Sequence, residues 1–93
     1  MIFTLDRTLE TGSYMDVGMF IQTIMIAARA YGLDTCAQAA FAGYHTIIRR
    51  VAGIGEDQIV LCGMALGWAD PDAVANRMET DREKLEDFAT FSA

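Results

Sequence analysis

The stretch that most limits how this chain can fold runs from Ser13 to Ala40, SYMDVGMFIQTIMIAARAYGLDTCAQAA. Val17, Phe20, Ile21, Ile24, Ala28 and Tyr31 recur at i, i+3, i+4 spacing, which defines one face of a helix. The other faces are hardly more polar, because Met19, Met25, Ile26, Ala27 and Ala30 cover most of them. Only Asp16, Gln22, Thr23 and Arg29 interrupt. A helix apolar nearly all round is expected to be buried on every side. Ser13 with Asp16 reads as its start, a capping box with Asp in the usual Glu place. Gly32 stands where a left-handed C-terminal cap belongs.

Covering such a helix takes material. The chain has 93 residues, 53% of them hydrophobic, and a domain of that size buries only roughly 60–65% of its surface. Residues 1–93 therefore read as part of one domain. Some of the helix surface is expected to lie against a partner subunit or a further segment. The net charge of −6 argues against a nucleic-acid partner, because phosphate backbones bind basic faces. The two cysteines, Cys36 and Cys62, make no metal-ligand spacing and no disulfide framework, and read as small buried or half-buried apolar residues. The helix is too short and too interrupted for a span of about 20 apolar residues. Nothing in the first residues resembles a signal peptide. A cytoplasmic protein is expected.

Around the helix the reading is coarse. Ile2 to Leu5 is β-prone, and Asp6 to Gly12 is a polar connection. Phe41 to Val51 is helical, with Tyr44, Ile47, Ile48 and Val51 on its apolar face and His45, Arg49 and Arg50 largely off it. His45 and the arginine pair read as surface residues. Gly53 and Gly55 close that helix in a turn, without the strand and helix that a dinucleotide loop demands. Gln58 to Trp68 is a continuous apolar run, a strand buried on both faces, with Gly63 and Gly67 marking close backbone approach or a bulge. After the Ala69–Asp72 turn the chain is charged, and the apolar spacing from Leu85 to Phe91 leans to a terminal helix. The predicted order is strand, helix, helix, strand, tail. Two strands do not make an independent sheet.

No catalytic side chains emerge from spacing. Two places rise above the background. From Asp34 to Ala40 a buried helix ends and small residues begin, which would let a planar ligand approach the backbone where helix-start amides are free. Tight packing explains small residues equally well. From Asn76 to Arg82, arginines in an acidic tail could grip a phosphate, or simply pair with neighbouring carboxylates.

At these residues the sequence resembles the carboxy-terminal part of the nitroreductase family of FMN-dependent, NAD(P)H-using oxidoreductases. The resemblance runs through FTLDR, DVGMFIQTIMIAARAYGLDTCAQAAF, CGMALGWADPD and NRMETDREKLEDF. It implies an α+β fold, a partial nitroreductase-like sandwich with a core helix, two sheet strands and a C-terminal arm that reaches the other subunit. It further implies a homodimer with FMN at the interface, and hydride transfer from NAD(P)H through FMN to a nitroaromatic, quinone or similar small-molecule acceptor. On this resemblance Gln38, Ala39 and Ala40 form the turn beside the flavin ring, where a backbone N–H approaches N5. Arg82 matches the phosphate-binding basic residue, with Arg77 a weaker candidate. Relatives commonly carry Pro where this chain has Ala37, so a looser turn is expected. The basic, serine- and arginine-rich segment with which family members grip FMN is not in this sequence. The chain is accordingly expected to be the C-terminal portion of such an enzyme. The alternative is a non-enzymatic remnant of the same fold that only dimerises.

Overall fold

The computed structural model describes residues 1–92. Its centre is β3 (Gln58–Gly67), flanked by β1 (Ile2–Asp6) and β2 (Asp34–Gln38), so the sheet order is β1-β3-β2. Both neighbours run antiparallel to β3 and hence parallel to each other. The helix α1 (Thr11–Ala30) connects them, and α2 (Ala40–Gly43) and α3 (His45–Ala52) connect β2 to β3. A 3-10 turn (Val74–Arg77) and a single helical turn, α4 (Leu85–Phe88), punctuate the tail.

The sheet has three strands rather than the two expected from the sequence. The small-residue stretch that begins at Asp34 carries no strand expectation, yet every residue from Asp34, opposite Gly67, to Gln38, opposite Gly63, pairs with β3. Ala37, where a looser turn was expected, sits in that ladder opposite Met64. Pairing, not propensity, makes this strand, because Asp, Ala and Gln are all poor strand formers.

The register tells which helix covers which face. Phe3 lies opposite Cys62, so the two share a face, and Gly63 turns to the other. The ring of Phe20 from α1 meets Phe3 edge-on, with centroids 6.4 Å apart. On the opposite face Phe41 of α2 lies over Gly63 so closely that a Cβ there would come within 2.7 Å of the ring. The close approach expected at Gly63 is real; at Gly67 a Cβ would meet nothing. Between Phe3 and Thr4 the register with β3 slips, placing an irregularity at Leu61.

α1 starts earlier than expected, at Thr11 after Glu10, with no side-chain cap. Ser13 lies inside the first turn, its amide donating to the Glu10 carbonyl at 3.0 Å. The chain's entry is set upstream, where the Asp6 carboxylate accepts from the Thr8 amide at 2.8 Å and hydroxyl at 2.7 Å. Those bonds hold the Asp6 carboxyl below the usual carboxylate range. At the other end Gly32 takes the predicted left-handed conformation, φ 69°.

The core is small: Phe3, Leu5, Ala28, Val60 and Met64. α1 packs one side only, and Met15, Met19, Ile26 and Tyr31 remain exposed. β3 is buried at Val60, Gly63 and Met64 but exposed at Ala65 and Leu66, so it is not covered along its whole length. The radius of gyration is 16.6 Å, against about 12 Å for a closed domain of this length. The accessible surface is 7612 Å², where a closed monomer of 10.2 kDa would expose about 5,300 Å². The chain alone does not cover its apolar helix, as its composition implies.

The helical segment expected over Phe41–Val51 breaks at Tyr44 into α2 and α3; His45 and Arg50 lie at the surface as expected and Ile48 is half-buried, but Arg49 turns inward. Arg49 is buried and donates through its two terminal nitrogens to the Gly55 and Gln58 carbonyls, while Tyr44, Ile47 and Val51 are exposed. The guanidinium thus fastens the end of α3 to the start of β3. Gly53, φ 68°, closes the helix as predicted.

Two substitutions probe this packing. Gly63→Ala should cost about 1–3 kcal/mol in urea unfolding, because Phe41 must move, and adding Phe41→Ala should recover part of the loss. Arg49→Met keeps the stem but strands two carbonyls, and should cost about 2–4 kcal/mol by the same measurement.

Candidate functional site

The residues singled out from the sequence lie in two places. Gln38 is the last residue of β2, Ala39 the turn residue after it, and Ala40 the first residue of α2. All three are exposed, as are Cys36 and Ala37 before them. Of the two cysteines expected to be buried or half-buried, Cys62 is half-buried and Cys36 is exposed. Exposed small side chains along an edge strand leave the backbone of this junction open to a flat ligand. The Ala39 carbonyl accepts from the Ala42 amide at 3.0 Å, which starts the helix. The first amides of α2 are among those a helix leaves without an internal acceptor.

What fixes the junction is again β3. Gln38 stands opposite Gly63, and Gly63 is the residue that Phe41 covers. Strand end, turn and helix start are thus pinned from two sides within a few residues.

Arg82 lies elsewhere. It is exposed in the tail, and its guanidinium donates to the Thr80 carbonyl at 3.0 Å, the Thr80 hydroxyl at 2.5 Å and the Asp81 carbonyl at 3.0 Å. No hydrogen bond or ion pair among the described residues joins it to Gln38, Ala39 or Ala40. Arg77 ends the 3-10 turn and is likewise exposed. The structure brings the three junction residues together and leaves both arginines apart from them.

The tail nevertheless reaches the sheet. A cleft of about 310 Å³ lies between Thr35 and Cys36 of β2, Leu66 and Trp68 at the end of β3, and Asn76. Asn76 is held there by its amide, which donates to the Asp70 carbonyl at 2.7 Å. Asp34, which sequence reasoning passed over, organises this end. One carboxylate oxygen accepts from Arg29 at the end of α1, and the other accepts from the Ala69 amide at 3.0 Å. It is the only ion pair among the described residues. The signal available beforehand was the placement of Arg29 in the last helical turn, five residues before an acid.

The comparisons with known proteins match this architecture. The sequence profile of the Nitroreductase family fits residues 4–68. The chain belongs to the nitroreductase family. It is 45% identical over 91 residues to a chloronitrobenzene nitroreductase of Comamonas testosteroni, across 98% of this chain and 40% of that protein. It is 40% identical to a 4-nitrobenzoate reductase of Pseudomonas putida, again over 40% of that protein. Among solved structures, the FMN and NADPH-dependent nitroreductase NfnB from sphigopyxis sp. strain HMH superimposes with a TM-score of 0.94 at 30% identity, covering 99% of this chain and 41% of that one. NfnB from Mycobacterium smegmatis, solved in complex with NADPH, gives 0.91 at 29% identity and 41% coverage. The fold is the α+β fold of these nitroreductases, and the chain spans about 40% of the length of the relatives it matches. That share lends no support to the carboxy-terminal placement expected from the sequence. Among the described residues, no helix is long and apolar enough to cross a membrane.

Asp34→Ala should release the end of β3. Hydrogen exchange at the Ala69 amide is expected to speed up by about tenfold or more, as the loss of a charge-assisted hydrogen bond requires. Exchange in the middle of β3 should hold.

Proposed function

We propose that this chain forms part of an FMN-dependent oxidoreductase of nitroreductase type, acting on nitroaromatic, quinone or similar small-molecule acceptors with NAD(P)H as reductant. The observation that carries the reading is the exposed, small-residue junction from Cys36 to Ala40, held rigid by Gly63 and Phe41. It is supported by the solved neighbours, one an FMN and NADPH-dependent nitroreductase and the other an FMN-dependent nitroreductase in complex with NADPH, which align with almost the whole chain.

The residues present fit such a cofactor in kind. Ala39 and Ala40 carry no side chain beyond Cβ, so an isoalloxazine face could rest against their backbone, with a main-chain N–H from Gln38–Ala40 as a fixed donor. Gln38 adds an amide at the rim. Arg82 offers the planar fork that binds a phosphate bidentately. When bound, FMN supplies the redox chemistry, accepting hydride from NAD(P)H and passing reducing equivalents to the acceptor. The chain's own work is to bind and orient; none of its side chains is assigned an acid–base or nucleophilic role.

We place the complete site at a homodimer interface. The uncovered faces of α1, with Met15, Met19, Ile26 and Tyr31, need a partner surface, and Arg82 lies on a tail that could serve a site on the other protomer. The free thiols of Cys36 and Cys62 suit a reducing, cytoplasmic setting.

The test is the visible absorption spectrum of the purified protein with and without FMN, taken alongside its native mass. A flavin band on a species of dimer mass is expected, and Arg82→Ala should weaken FMN binding by about 10- to 100-fold, the worth of a charge-assisted phosphate contact. A dimer that stays colourless with FMN when the rest of the parent protein is supplied would overturn the reading in favour of a remnant that only associates.

A further inference from the structure

In a chain of net charge −6 with only seven lysines and arginines, an unusual share of the positive charge gathers in one groove. Arg7, from the connection after β1, faces His45, Thr46, Arg49 and Arg50 of α3 across a space of about 370 Å³, with Glu56 also at its wall. Positions 45, 46, 49 and 50 fall on one side of α3 by helical spacing. His45 is the only histidine.

The cations there are not occupied by carboxylates. The only ion pair among the described residues is Arg29 with Asp34, at the other end of α1. Arg49 is consumed by the Gly55 and Gln58 carbonyls and forms the floor. Arg7 is anchored through Nε, which donates to the Glu56 carbonyl at 3.0 Å, leaving its two terminal nitrogens without a protein acceptor. Arg50 makes no side-chain hydrogen bond among the described residues. The groove therefore holds one pre-oriented guanidinium fork from a loop and a second from a helix, with a hydroxyl and an imidazole beside them.

We propose that this groove binds a phosphate-bearing small molecule, for which a diphosphate is the simplest ligand. Two forks on separate elements suit an anion with two tetrahedral ends, each able to accept bidentately. A lone carboxylate would reach only one fork, whereas an anion with several charges gains from both arginines enough to offset the opposing charge of Glu56. The residues assigned to FMN above do not line this groove, so its test is read separately from that assignment.

The experiment is calorimetric titration of the protein with inorganic pyrophosphate at low ionic strength. Saturable binding is expected. Arg50→Gln should weaken it by about tenfold or more, since a charge-assisted contact is lost. Lys84→Gln, an equal change of charge on the exposed tail, should leave it unaltered. Glu56→Gln removes the opposing charge while keeping the carbonyl that holds Arg7, and should tighten binding severalfold. That gain cannot come from misfolding. Absence of saturable binding, equal weakening by the arginine and lysine variants, or no gain with Glu56→Gln would each overturn the proposal.

Discussion

The bare face of Gly63 beneath Phe41 is the contact on which the arrangement of this chain rests. Gly63 is where both edge strands register against β3, opposite Ile2 on one side and Gln38 on the other. A side chain at this point would lift Phe41, and with it α2, away from the sheet. Because Gln38, Ala39 and Ala40 lie between the paired strand end and that helix, the same displacement would shift the junction we assign to the flavin. A packing requirement and a binding requirement thus meet at one residue that contributes no side-chain atom to either.

The remaining architecture is strong along the sheet and thin across it. β3 is paired along nearly its whole length by β1 and then β2, and Arg49 and Asp34 tie helix ends to strand ends with charge-assisted hydrogen bonds. Perpendicular to the sheet, the apolar core amounts to a few side chains, and Trp68 is 84% exposed. Such an object is polar where it is finished and apolar where it is not. The excess surface on α1 follows from the sequence pattern itself, since no placement of this short chain covers a helix that is apolar on every side.

How legible this was depended on whether the local pattern carried the information. α1, the strand at Gln58, and the glycine caps at Gly32 and Gly53 follow from periodicity and backbone preference. β2 could not be read, because Asp34-Thr35-Cys36-Ala37-Gln38 carries little strand signal and is extended only by pairing with a strand twenty residues further on. Arg49 was misplaced for a different reason. Periodicity separates the two faces of α3 but does not say which meets the sheet, and a guanidinium with two carbonyl acceptors can displace Ile47 and Val51 from the inside. Gln38, Ala39, Ala40 and Arg82 were identifiable through family resemblance alone. Their residue types are too ordinary for composition or spacing to single them out.

The strand order also governs how the chain can assemble. β1 and β2 are parallel and never touch through the backbone, since β3 lies between them. Within these residues neither strand has a partner until residues 58–67 join, and the apolar helix between β1 and β2 is left with one side uncovered. Each early pairing also closes a long loop before any contact repays it. Of these three strands the last in sequence is the one both others need, so their pairing comes together rather than strand by strand. Until then α1 is most open to capture by chaperones or by other copies of itself.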